Sequence, residues 1–151
     1  MQLNKFTDYG LRLLMYLIKS SDQLHTIAQV AHDLHISENH LVKVSHFLAQ
    51  QGWIISTRGK GGGIRIHPEA MYLPIGEVIR TLEHDEKVID CLGIECNLRR
   101  DCHLKSLFPL AIEQCYQYLN QYQLKDAWRA LANEPSKLTQ HNNLIQTINP
   151  S

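Results

Sequence analysis

Cys91, Cys96 and Cys102 fall within twelve residues, in the run Cys91-Leu-Gly-Ile-Glu-Cys96-Asn-Leu-Arg-Arg-Asp-Cys102, a C-x4-C-x5-C spacing. Thiolates are the ligands that iron–sulfur clusters and zinc select, and three so close together can converge on one soft metal centre. Structural zinc sites favour two separated cysteine pairs. A single close triad with an unspecified fourth ligand suits an iron–sulfur cluster with one reactive iron. Zinc stays open, with His103 beside Cys102, and so do three unliganded surface thiols. The fourth cysteine, Cys115, lies on an apolar stripe and reads as a small buried hydrophobe.

The segment that must present this triad follows a half with a different pattern. Leu11, Leu14, Met15 and Ile18 recur at helical spacing, with Thr7 a candidate N-cap and Asp8 in the first turn, where a carboxylate suits the helix dipole. Thr26-Ile27-Ala28-Gln29 has the form of a capping box and opens a short helix through Leu34 whose Ile27, Val30, Ala31 and Leu34 share a face. His35-Ile36 is a turn, and Ser37 caps a third helix over 38–51, with Leu41, Val44 and Leu48 inward, joined by Val42 and Phe47, and Gly52 as its stop. The period then changes. Residues 53–58 and 64–67 read as two strands joined by Gly59-Lys60-Gly61-Gly62-Gly63, whose glycines supply the positive φ of a tight connection. Three helices and then a hairpin is the order of a winged helix-turn-helix domain. The fold class expected is mainly α with a small β-wing.

A further helix spans about 75–82, and residues 83–102 are acidic and aperiodic around the cysteines. From Leu104 a wide apolar stripe runs about five turns through Leu107, Phe108, Ala111, Ile112, Cys115, Tyr118, Leu119 and Tyr122. It has little of its own chain to bury against, so a second copy is the expected counterpart, and the helix reads as a dimerisation helix. Pro109 requires that it start after Leu104 or kink. A short helix over 124–131 follows, and 133–151 reads as a loosely ordered tail. The organisation expected is a DNA-binding domain over 1–72, a cysteine loop and dimerisation helix over 73–132, and the tail.

The 151 residues carry no net charge, but the charge is uneven. Residues 1–67 hold seven Lys/Arg against four Asp/Glu, and residues 68–102 hold four against eight. A modestly basic head and an acidic segment fit a module that faces phosphate with one end. No apolar run approaches the roughly 20 residues of a membrane span, and the N-terminus lacks the layout of a signal peptide. A cytoplasmic location is expected, where cysteines stay reduced and a metal or redox role outweighs disulfides. No Ser/His/Asp or Cys/His arrangement supports catalysis, so an enzyme is the poorer class.

The candidates for DNA contact follow from the winged helix. Ser37, Asn39, His40 and Lys43, with Glu38, are the polar residues at the start of the third helix, where base edges are met in the major groove. Arg58, Gly59, Lys60 and Arg65 belong to a wing whose tip can approach a phosphate backbone or enter a minor groove. The glycines lack the spacing of a nucleotide-binding loop.

Three stretches carry a family resemblance over about residues 1–131: the opening Met1-Gln2-Leu3 with Phe6-Thr7-Asp8-Tyr9-Gly10-Leu11-Arg12, the wing Arg58-Gly59-Lys60-Gly61-Gly62-Gly63-Ile64-Arg65, and the triad followed by a long helix. Together they resemble the iron–sulfur winged-helix repressors, the family that includes NsrR and IscR. The opening and the wing favour the nitric-oxide-sensing branch, NsrR. IscR-like members space their cysteines C-x5-C-x5-C and add a histidine a few residues on, whereas here the first gap is four and His103 is adjacent. The resemblance implies a homodimer on a pseudo-palindromic DNA operator. It also implies one cluster per subunit, 4Fe-4S or 2Fe-2S, held by Cys91, Cys96 and Cys102 and open to loss in air. Asp8 matches the position of an aspartate ligand donated by the other subunit. The cluster would tie the two subunits in the geometry that fits DNA, and nitric oxide would be the signal that breaks the tie and lifts repression. A sensor of iron or cluster supply, and a zinc-stabilised constitutive winged-helix module, are the competing readings.

Overall fold

A computed structural model describes residues 3–84 and 102–129 of the chain, so Cys91, Cys96 and the tail lie outside the described residues. The element order is α1 (Lys5–Lys19), α2 (Ile27–Leu34), α3 (Glu38–Gln50), β1 (Ile54–Thr57), β2 (Gly63–Ile66), a 3-10 turn (Pro68–Tyr72), α4 (Ile75–Glu83), α5 (Leu104–Leu119) and α6 (Leu124–Arg129). The architecture is mainly helical with a two-stranded antiparallel wing, as expected.

α1 begins two residues before the expected cap. Its N-cap is Asn4, whose side-chain oxygen accepts from the Thr7 amide at 2.8 Å. Thr7 is instead a buried helical residue. Either side chain can cap a helix, and a distant partner decides: the Asn4 amide donates to Glu83 Oε1 at 3.0 Å, at the far end of α4. α1 is also more deeply embedded than its stripe suggests. Leu13 and Leu17 are fully buried beside Leu14 and Ile18, because α1 touches α2, α3, β2, α4 and α6. Each such leucine contributes about 1.5–3 kcal/mol relative to an exposed one. Gly10 lets α4 come this close, since a Cβ there would meet Leu82 Cδ2 at 2.9 Å.

The caps of α2 and α3 are those the sequence announces. Thr26 Oγ1 accepts from the Gln29 amide at 3.2 Å, and Ser37 Oγ from the His40 amide at 3.4 Å. α3 ends in a Schellman closure: the Gly52 amide bonds the Ala49 carbonyl and the Trp53 amide the Leu48 carbonyl, with Gly52 at φ +73°. Leu41, Val44 and Leu48 are buried and Phe47 half-buried, whereas Val42, expected inward, is 51% exposed. Position 42 falls on the polar face between Asn39 and His46, where the 3.6-residue period carries it.

Val78 and Leu82 of α4 and Leu124 of α6 join the same core as α1. The 3-10 turn, which has no periodic signal, buries Ala70 and leads into α4. α5 begins at Leu104 and carries Pro109 inside it. Pro109 offers no amide to the Lys105 carbonyl, and this stretch is exposed enough for solvent to replace the bond. Cys115 is exposed, not buried as its place on the stripe implied. The stripe itself stands open at its start: Leu104, Leu107 and Phe108 are 51%, 56% and 38% exposed, and Leu110, off the stripe, is 63% exposed. Among the described residues α5 docks on α4 through its C-terminal half, by buried Tyr116, by the following Asn120 and by an ion pair of Glu113 with Arg80 at 2.7 Å.

Candidate nucleic-acid interface and metal-ligand positions

α3 presents one outward face. Asn39, Val42, Lys43 and His46 are all exposed and follow one another at three- and four-residue intervals. His40 is held at the start of the helix, its Nδ1 2.8 Å from Ser37 Oγ and its ring 5.9 Å from that of Tyr9. Ser37 is therefore occupied as a cap and as a partner of His40. Val42 is a contact candidate that sequence reasoning missed, because an outward aliphatic group on such a face can meet a thymine methyl. The signal was available: Val42 sits three residues after Asn39.

The wing pairs Ile54 with Ile66 and Thr57 with Gly63. Its inward residues Ile54, Ile64 and Ile66 are buried, while Arg58 and Lys60 are exposed at the tip and Arg65 is half-buried on β2. Gly59 and Gly61 adopt φ of +98° and +81°, which turn the tip. The root of the wing is anchored by a residue the sequence did not single out. His25 exchanges two backbone hydrogen bonds with Ile64, at 2.9 and 2.8 Å. Its buried ring lies 2.7 Å from Ser20 Oγ and 5.1 Å, edge-on, from Tyr16. Gly63 permits that approach, since a Cβ there would meet the His25 carbonyl oxygen at 2.6 Å. Tyr16 donates to Asp33 at 2.6 Å, tying α1 to α2; that hydrogen bond holds the Asp33 carboxyl below its ordinary range.

Asn39 and Lys60 separate two kinds of contact. Asn39→Ala is expected to weaken binding to a selected duplex by about 1–3 kcal/mol while leaving random DNA unchanged. Lys60→Ala weakens both alike and lowers the salt slope by about one phosphate. Titrations of each variant against both duplexes at several salt concentrations check this; equal losses for Asn39→Ala on the two duplexes would remove it from base readout.

Of the four proposed ligands the structure describes two. Cys102 is a free, partly exposed thiol two residues ahead of α5. Asp8 lies half-buried in the first turn of α1, its Oδ1 2.9 Å from Arg12 Nε. Among the described residues no three histidine, cysteine or acidic side chains gather as a metal site. The donor chemistry fits a cluster in kind: an unpaired thiol at the edge of the cysteine segment, and a carboxylate accessible on another element. Among the described residues no helix is long and apolar enough to cross a membrane.

Comparison with known proteins bears on both features. The Rrf2 family model, described as an iron-dependent transcriptional regulator, matches residues 3–130. The chain is 40% identical over 130 residues to the HTH-type transcriptional regulator NsrR of Shouchella clausii, covering 83% of this chain and 87% of that one. It is 38% identical to the NsrR of Bacillus licheniformis, covering 83% and 91%. These relatives are regulators of transcription rather than enzymes. In fold, it matches CymR, the global cysteine regulator of B. subtilis, with a TM-score of 0.67 at 22% identity over 87% of this chain and 99% of that one. It also matches IscR of T. potens, with a TM-score of 0.63 at 19% identity over 89% and 93%.

Proposed function

The chain belongs to the Rrf2 family of iron-dependent transcriptional regulators, and from that premise we propose that it is a repressor whose grip on DNA is set by an iron–sulfur cluster that reacts with nitric oxide. The observation that carries this is the conjunction of a three-thiol segment, Cys91, Cys96 and Cys102, with 40% identity to a relative named NsrR. Cys91, Cys96 and Cys102 would hold the cluster, with the partner subunit's Asp8 as fourth ligand. When bound, the cluster supplies iron that takes up nitric oxide.

The chain's own residues do the rest. The open stripe that begins with Leu104, Leu107 and Phe108 on α5 is the face a second copy covers. Each copy carries Asp8 on the helix that also contacts α3 and Cys102 at the head of the dimerisation helix. A tie between them sets how far apart two α3 helices stand, and these must meet half-sites about 34 Å apart. Asn39, His40 and Lys43 meet base edges, Ser37 holds His40 in place for them, and Arg58, Gly59, Lys60 and Arg65 meet the backbone beside them. Residues 1–72 form the DNA-binding part, 73–132 the sensing and pairing part, and 133–151 an appended tail. The protein works in the cytoplasm.

An anaerobic visible absorption spectrum of freshly purified protein, with metal analysis, tests this. A brown protein whose absorbance bleaches as nitric oxide is added is expected. A colourless protein with stoichiometric zinc, or one that takes up no cluster on reconstitution, would overturn it.

A further inference from the structure

His84 is the last described residue before the cysteine segment, seven positions ahead of Cys91. It ends α4 in the left-handed region, at φ +50° and ψ −27°, a conformation that L side chains rarely hold without help. Its ring is held by packing. The His84 imidazole stands edge-on to Phe47, 5.0 Å between centroids and 78° between planes. Phe47 belongs to α3, the helix that bears the base-reading face, and stands edge-on in turn to Phe6 of α1 at 5.4 Å. Next to it, Asn4 clasps the end of α4 through its amide to Glu83 Oε1 and its side chain to the Glu83 carbonyl. On α1, Phe6 and Tyr9 flank Asp8 in sequence and touch Phe47 and His40 of α3 respectively.

We propose that His84 is a positioning residue that couples the cysteine segment to α3 through its ring contact with Phe47. This rests on the cluster-controlled repressor described above and deepens it. His84, which leads into the segment, touches α3 through Phe47, and Phe6 and Tyr9, near Asp8 on α1, touch α3 through Phe47 and His40. A pull on the segment acts first on His84, which follows the Asn4-clasped Glu83 and sits in a sparsely populated conformation with its ring against Phe47. When that conformation changes, the ring leaves Phe47 and α3 loses one of the supports that fix it against α1. The two arrangements of His84 are the two-state element on which the cluster acts.

Three variants separate ring from backbone. His84→Ala removes the ring, His84→Asn removes it while keeping a residue that tolerates positive φ, and His84→Phe keeps a ring. For each full-length protein, affinity for a duplex selected from a random library is measured with the cluster loaded and stripped. The ratio of the two is expected to fall about tenfold in the Ala and Asn variants and to be kept by Phe, with dimerisation and cluster absorbance unchanged. A wild-type ratio of one would sink the repressor reading, and this inference with it. A wild-type ratio kept by His84→Ala would sink the inference alone, and a ratio kept by Asn but not Ala would assign the effect to the backbone and overturn the ring contact. A second measurement uses only cluster-free protein: urea unfolding of His84→Ala, Phe47→Leu and the double variant. Non-additive midpoints are expected; strict additivity would mean that the rings do not interact and would also overturn the proposal.

Discussion

Cys102→Ala is expected to leave a folded dimer that no longer distinguishes its operator, with affinity for the selected duplex falling about a thousandfold to that for random DNA. The size of the effect follows from where the residue sits. Cys102 is partly exposed and unpaired ahead of α5, so its loss costs the fold at most about 0.5 kcal/mol. The exposed α5 stripe proposed to pair the copies does not include it. On the proposed mechanism the damage is confined to the tie, and the two α3 helices would lose their fixed spacing while their phosphate contacts persist. Binding to random DNA, assigned in the proposal to Arg58, Lys60 and their neighbours, is expected to stay at its wild-type level. Size-exclusion chromatography beside fluorescence anisotropy on both duplexes reads each part. A variant that kept both operator affinity and nitric oxide response would remove Cys102 from the ligand set.

Gly76→Ala is expected to destabilise the protein by about 2–3 kcal/mol, lowering Tm by roughly 8 °C. Gly76 is buried at the start of α4, and a Cβ there would fall on the Tyr116 carbonyl oxygen and on Asn120 Oδ1. Neither can yield easily. The Tyr116 carbonyl accepts from the Asn120 amide at 2.8 Å at the end of α5, and Asn120 Oδ1 accepts from the Glu77 amide at 2.9 Å. The substitution thus pushes α5 off α4 where Tyr116 and Asn120 pack on it. Glu77→Ala, which removes the exposed bond from Asn120 Nδ2 to Glu77 Oε1 at 3.1 Å and a long, solvent-facing ion pair with Arg80 at 3.8 Å, changes stability by less than about 1 kcal/mol. Calorimetry on the pair checks this, and an unchanged Tm in Gly76→Ala would mean that α4 and α5 are not so closely packed.

Much of this architecture is legible before any coordinates because its signals are local. Thr26 and Ser37 announce their helices, Gly52 ends α3, and the change from helical to alternating period at Trp53 marks the wing. What escapes the sequence depends on partners far away in the chain. Asn4 and Thr7 are both fit to cap α1, and the bond from Glu83 selects Asn4. Leu13 and Leu17 are buried because α1 is surrounded, which no single-helix pattern reveals. Val42 and Cys115 sit at the edges of apolar stripes, where a small rotation decides between core and surface, and both prove exposed. At the candidate site, residue types and spacing suggested the ligands and the base-reading face. They did not suggest His25 under the wing or the Phe6–Phe47–His84 ring contacts, since histidine and phenylalanine carry no positional signature for touching one another across 37 residues.

The most direct test of the central claim is operator binding by the anaerobic, cluster-loaded protein, followed by fluorescence anisotropy on a library-selected duplex while nitric oxide is added and the visible absorbance is read in the same cuvette. Tight binding that is lost in step with the bleaching, down to the affinity of the stripped protein, is the expected result. A complex that survives complete bleaching, or stripped protein that binds as tightly as loaded protein, would contradict it.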